Sequence, residues 1–210
     1  MLIETVAAPD SANPEAPTTL PPANGSPELF GFVYPIAGGC LPLGDQLMPN
    51  APRGYRNGIH EGVDFYNVDN CTPISGGTGA LAAKDGVVIR ADVSYVDPTL
   101  EEMNANLANP NTDAALDLFR GRQIWVEHGG GLITRYAHLQ GIAPGIVEGV
   151  SVSQGQLIGY VGESGTPESV SNPGGENHLH FEVRLPNGSY LGAGEAPEAV
   201  RALYQTLFAP

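Results

Sequence analysis

The chain is short of positive charge. It carries 9 Lys and Arg against 23 Asp and Glu, a net charge of −14 at pH 7 with His neutral. Nucleic-acid binding depends on cations that neutralise phosphates, and adsorption to an anionic bilayer depends on the same groups, so neither is an expected partner. No apolar run approaches the ~18 residues that a membrane span requires, so no membrane insertion is expected. Met1 to Ala8 has neither a basic start nor a long apolar core, so any export signal has been removed or never existed. No segment recurs at a fixed period, which argues against a solenoid or propeller. Cysteine is nearly absent. Cys40 and Cys71 fit neither a Cys-x-x-Cys redox pair nor a zinc knuckle, which leaves one disulfide or two buried thiols. We adopt the disulfide, which closes a loop of about 30 residues, is worth on the order of 3 kcal/mol and suits an oxidising compartment.

What is present is glycine, proline and short β-forming stretches. At 210 residues the chain suits one domain with a real core. Residues 1–27 are rich in Pro, Ala, Ser, Asn and Glu and read as a linker or disordered lead-in, with the domain over 28–210. Order is expected to begin near Leu29 to Pro35. Val63 to Tyr66, Gly86 to Arg90, Gln123 to Glu127 and Leu132 to Tyr136 each read as strand, and Val147 to Gly162 continues the pattern. Many short strands between turn residues predict a mainly β, antiparallel open barrel or sandwich. A helical insertion over about 92–121 breaks the pattern. Its 3.6-residue spacing is interrupted at Asn109-Pro110, giving two short helices that could wall a groove. Pro197 to Leu207 reads as a C-terminal helix with Val200, Leu203, Tyr204 and Leu207 on one face.

The chemistry centres on His178-Leu179-His180. Side chains at i and i+2 of a strand point the same way, about 6.6 Å apart, so both imidazoles can look into one pocket while Leu179 and Phe181 face a core. His60-Glu61-Gly62-Val63-Asp64 resembles a zincin helix, but Gly62, Val63 and the strand character of Phe65-Tyr66 argue against a helix. On a straight strand His60 and Asp64 would lie about 13 Å apart, whereas two donors on one zinc are about 3.3 Å apart. A bend is therefore required, and Gly62 permits it. His60, Asp64 and one histidine of the 178/180 pair make three imidazole and carboxylate ligands. A fourth position is left open, as in a catalytic zinc site. His138, at a strand end after Tyr136, becomes a candidate proton handler beside such a metal.

These pieces, with Lys84 to Val88, His128 and its three following glycines, and Gly155-Gln156 through Gly162, resemble the M23 family of zinc metallopeptidases, the LytM and lysostaphin-like peptidoglycan endopeptidases. The resemblance covers about Phe32 to Leu191. It implies one Zn2+ per chain on His60, Asp64 and His180, catalytic His138 and His178, and Tyr136 beside the substrate. The implied fold is an open β barrel or sandwich with its site in a long groove. Glu61 falls at a variable position of the family motif and is not expected to be catalytic, and His128 is expected to be structural or groove-lining. The expectation is a secreted, periplasmic or cell-surface enzyme, a monomer, cutting peptides of peptidoglycan. The alternative is a zinc-bound regulatory module without turnover. A third reading is latency, in which Asn24, Asn50 or Asn57 reaches the open metal position.

Overall fold

The computed structural model describes residues 28–209, so the expected linker and Asn24 lie outside the described residues. Eleven strands follow in order: β1 (Pro52–Arg53), β2 (Gly58–Ile59), β3 (Val63–Phe65), β4 (Gly79–Leu81), β5 (Gly86–Ala91), β6 (Ile124–Glu127), β7 (Ile133–Ala137), β8 (Leu139–Ile142), β9 (Ser151–Val152), β10 (Leu157–Val161) and β11 (Leu179–Arg184). The helices are α1 (Leu100–Asn106), α2 (Asp113–Arg120), α3 (Glu168–Ser171) and α4 (Pro197–Leu207). The strands form a six-stranded sheet in the order β3-β11-β7-β6-β5-β9, a three-stranded sheet β4-β10-β8, and the hairpin β1-β2. Every strand pair is antiparallel, and the large sheet ends at β3 and β9 without closing. The mainly β, open architecture is the expected one.

Alternation along the strands decides what the core contains. On β6, Ile124 and Val126 are buried while Trp125 and Glu127 turn to the other face. On β11, Leu179, Phe181 and Val183 join the apolar core, and the intervening His180 and Glu182 are also buried, but on the opposite face. The second face is covered by His60 and Asp64, which meet His180, and by Arg120 of α2, which meets Glu182. The C-terminal helix begins at its proline and packs Val200, Tyr204 and Leu207 inward. Leu203, expected on that stripe, is instead 37% exposed at its edge. Leu207 accepts a backbone bond from Phe32, and Phe208 stacks on Tyr34 at 4.2 Å, which ties the first described residues to the last.

The insertion is two helices, as the spacing predicts. Thr99 and Glu102 form a capping box at α1, and Thr112 caps α2 by accepting from the Ala115 N–H. Asp117 of α2 pairs with Arg90 of β5 and accepts from Gln123, so α2 lies against the large sheet. Cys40 and Cys71 form a disulfide with Cα atoms 5.6 Å apart.

Tyr136 requires a correction. It is fully buried, its hydroxyl accepts the Ala83 N–H at 2.8 Å and lies 3.0 Å from the Thr134 hydroxyl. It is part of the core and cannot touch substrate. Thr134 in turn lies 2.8 Å from His128 Nε2, while His128 Nδ1 donates to the Asp85 carbonyl at 2.8 Å. His128 is therefore structural.

Burial pushes the His128 pKa down to about 4 from the ordinary 6.5, against the opposing pull of the Asp85 carbonyl and Glu127. The unfolded chain takes up this proton first as pH falls. The stabilisation is complete above pH 6.5 and is lost progressively toward pH 4, amounting to about 3 kcal/mol. Denaturant unfolding at both pH values should show a shallower loss of stability in His128→Gln than in the wild type. An identical pH slope would refute the assignment.

Candidate metal centre and catalytic site

Two sequence-distant segments meet because β11 pairs with β3 in a register that sets His180 opposite Asp64 and Phe181 opposite Val63. On the other side of β11, His180 faces Ala137 of β7. The chain bends at Gly62, just before β3, and brings His60 back over Asp64. Gly62 serves here for want of space: a Cβ would lie 2.5 Å from the Phe181 carbonyl oxygen and 2.9 Å from the His180 ring. There is no helix across His60 to Asp64, so the zincin-like reading is set aside.

Three donor atoms converge. His60 Nε2 lies 2.9 Å from Asp64 Oδ1 and 3.0 Å from His180 Nδ1, and His180 Nδ1 lies 2.8 Å from Asp64 Oδ1. The far nitrogens fix the tautomers. His60 Nδ1 is 3.0 Å from the Met48 carbonyl, which can only accept, so this nitrogen carries the proton and Nε2 presents a lone pair. His180 Nε2 is 3.0 Å from Glu182 Oε1, so it donates there and Nδ1 presents a lone pair. Two imidazole lone pairs and a carboxylate oxygen thus face one another at about 3 Å in a buried site. Such a set repels itself unless a cation lies between its members, and the donor types suit zinc. The residues fit the metal.

The surrounding groups hold each ligand in place. Arg53 Nη2 donates to the second oxygen of Asp64 at 2.9 Å, leaving Oδ1 for the centre. Glu182, fully buried, accepts from His180 and from Arg120, with Arg135 and Arg184 each 3.4 Å from its other oxygen. Burial alone would raise the Glu182 pKa, but Arg120, His180 and Arg135 hold it far below the usual carboxylate range. Burial likewise opposes the charge of Asp64, yet His60 and His180 keep its pKa well below normal. For His180 the desolvation cost is outweighed by Asp64 and Glu182, and its pKa is raised, while burial lowers that of His60.

Two further histidines flank the triad. His178 Nδ1 donates to the Glu176 carbonyl at 2.6 Å, and its Nε2 lies 3.9 Å from Asp64 Oδ1. Its ring stacks on Tyr66 at 4.2 Å, and the Tyr66 hydroxyl donates to Glu176 at 2.9 Å. His138 Nδ1 donates to the Ser164 carbonyl at 2.9 Å, and its ring centroid is 4.5 Å from that of His178. Both keep Nε2 free of the proton, and burial lowers the pKa of each, most strongly for His138, where His178 and His180 add their field. Such rings accept a proton at Nε2. His138 has φ 58°, left-handed backbone between β7 and β8 that is uncommon for a non-glycine residue.

The structure thus brings together all five expected residues: His60, Asp64, His138, His178 and His180. Glu61 is engaged with Arg120 and Arg184, each at 2.7 Å, and does not serve as a base. Of the residues named for latency, Asn50 is engaged elsewhere. The Asn50 amide donates to the Gly192 and Glu195 carbonyls while its oxygen accepts from Tyr190 and Gly194, and Asn57 is exposed at the end of a 3-10 turn. Arg53, Tyr66 and Glu182 are site residues that the sequence reading missed. For Glu182 a signal existed, since it repeats the His178/His180 spacing once more.

A family model described as Peptidase family M23 matches residues 58–192, a stretch that contains all five residues. A search of curated protein sequences returns no match. Among solved structures, a zinc-containing peptidase from Vibrio cholerae is 24% identical with a TM-score of 0.49, over 79% of this chain and 40% of that one. The catalytic domain of lysostaphin from Staphylococcus simulans is 24% identical with a TM-score of 0.43, over 77% and 86%. A chain of the SpoIIQ-SpoIIIAH pore-forming complex is 21% identical with a TM-score of 0.46, over 78% and 88%. The chain spans 40% of the length of the Vibrio cholerae protein.

Chelator competition should show zinc bound about 10- to 100-fold more weakly by Glu182→Gln, because the ring of His180 loses the charge that orients it and raises its basicity. Unchanged affinity would remove Glu182 from the centre. Gly62→Ala should yield protein without stoichiometric zinc, since the added methyl forces β3 away from β11.

Proposed function

Because the chain belongs to peptidase family M23, we propose that it is a zinc-dependent endopeptidase that hydrolyses peptide bonds of bacterial peptidoglycan. The observation that supports this most is the arrangement of protons. Three lone pairs converge with their far nitrogens or oxygen already bonded, and two more histidines carry free Nε2 atoms beside them. A purely structural zinc site usually closes with four ligands, often thiolates, whereas here the described residues supply three and both cysteines are in the disulfide.

Zinc on His60 Nε2, Asp64 Oδ1 and His180 Nδ1 would supply Lewis acidity and lower the pKa of a bound water. The chain's own residues supply the rest. His138 and His178, each with Nδ1 fixed to a carbonyl, take up a proton at Nε2 and return it to the leaving amine. Once protonated, either ring can donate to the oxyanion that develops on the scissile carbonyl. Tyr66 fixes the plane of His178 by stacking, so the proton is offered in one direction. Arg53 bonds the second oxygen of Asp64 and so keeps Oδ1 aimed at the centre.

The disulfide and the family support a place outside the reducing cytoplasm, secreted, periplasmic or at the cell surface. No helix among the described residues is long and apolar enough to cross a membrane. We read the protein as a monomer acting on wall peptides.

Incubated with isolated wall sacculi, the zinc-loaded protein should release peptide fragments, and a chelator should stop it. His180→Ala should lose both zinc and turnover. His138→Ala and His178→Ala should keep zinc while kcat falls about 10²- to 10⁴-fold. Bound zinc without turnover on any wall peptide, together with activation of a separate wall hydrolase, would favour the regulatory module instead.

A further inference from the structure

Three of the nine cationic residues of this acidic chain, Arg120, Arg135 and Arg184, line one cavity of about 540 Å³. A volume of this size holds a small ligand. The cavity lies on the face of the large sheet that carries the metal ligands. Glu182 and Arg184 follow His180 on the same side of β11, and the row continues across the strands from Glu182 to Arg135 and then Trp125. Helix α2 of the insertion forms the opposite wall through Ala114 and Leu116.

The cations in this wall are not equally committed. Arg120 bonds Glu61 and Glu182, and Arg184 bonds Glu61 and the Gly188 carbonyl. Asp117 is engaged by Arg90 and Gln123, and exposed Asp113 stands at the lip. Arg135 is different. Its guanidinium stacks on Trp125 at 3.8 Å and makes a single long contact, 3.4 Å, to Glu182, whose charge His180 and Arg120 already share. Its buried Nε has no partner among the described residues. Burial and the neighbouring Arg120 and Arg184 push its pKa down to about 10, more than Glu182 can offset. A cation in this position gains from an additional anion, and a planar guanidinium over an aromatic face suits a carboxylate.

We propose that this cavity is a subsite of the substrate groove that receives a carboxylate-bearing residue of the peptide, bound by Arg135 between Trp125 and Arg184. The inference rests on the endopeptidase reading. It assigns the insertion a part in selecting substrate, because α2 supplies one wall and Arg120 at its end links that wall to Glu182.

The test uses the zinc-loaded protein and two probes, a wall stem peptide with a free C-terminal carboxylate and the same peptide as its C-terminal amide. Calorimetric titration should find the acid bound about tenfold more tightly than the amide, the discrimination expected of one charge-assisted contact. Arg135→Gln should bring the ratio close to one. Ala114→Trp, which fills the cavity from an exposed position on α2, should do the same and guards against misfolding of the first variant. Equal affinities in the wild type, a preference that survives both substitutions, or no binding of either peptide would overturn the subsite. The two readings fail differently. Selective binding of the acid with neither peptide cut sinks the endopeptidase and leaves the subsite, whereas cleavage of both without preference does the reverse.

Discussion

The register of β11 against β3 and β7 is the constraint on which the site depends. With His180 opposite Asp64 and Ala137, one face of the strand carries His180, Glu182 and Arg184, and the other carries Leu179, Phe181 and Val183. A slip of one residue would exchange the two sets, placing three ionisable groups in the apolar core and three apolar groups at the metal centre. The apolar set therefore enforces the polar one. Burial of Leu179, Phe181 and Val183 is worth several kcal/mol at about 25 cal/mol per Å².

Each ligand is held at its far end, and this is how a strained cluster of lone pairs survives in a folded chain. The Met48 carbonyl, Arg53 and Glu182 each fix one of the three, and the Glu176 and Ser164 carbonyls fix the two flanking histidines. Proton positions are then set by geometry before any metal arrives. The carboxylate of Glu182 is central, because it orients a ligand while drawing three guanidiniums toward the same face. The helical insertion is joined to the centre through that charge, by Arg120 at the end of α2.

Much of the site was legible in the chain. His60 and Asp64, and His178 and His180, are spaced closely enough that residue type and a strand or bend restrict where their side chains can go, and the C-terminal helix spans Pro197–Leu207 with Val200, Tyr204 and Leu207 of its stripe buried. Tyr136 shows where such reading fails. Strand alternation places Tyr136 and His138 on one face, which would bring both to the site. The left-handed turn at His138 breaks the alternation, sending its ring to the centre while Tyr136 remains in the core. The need for glycine at position 62 was correct, but its cause is the carbonyl of Phe181, more than a hundred residues away, and not local backbone freedom.

By itself the sequence determined the class of fold, through short strands between turn residues, and its motifs carry a resemblance to the family that the match over residues 58–192 supports, with the five candidate residues named by that resemblance. Only the tertiary structure decided which groups stand behind them. Arg53, Tyr66, Glu182 and the arginines around Trp125 act through contacts between segments far apart in the chain, whose partners no local pattern specifies. The same holds for the cavity beside the centre, which exists because an insertion between β5 and β6 folds back over strands that precede and follow it.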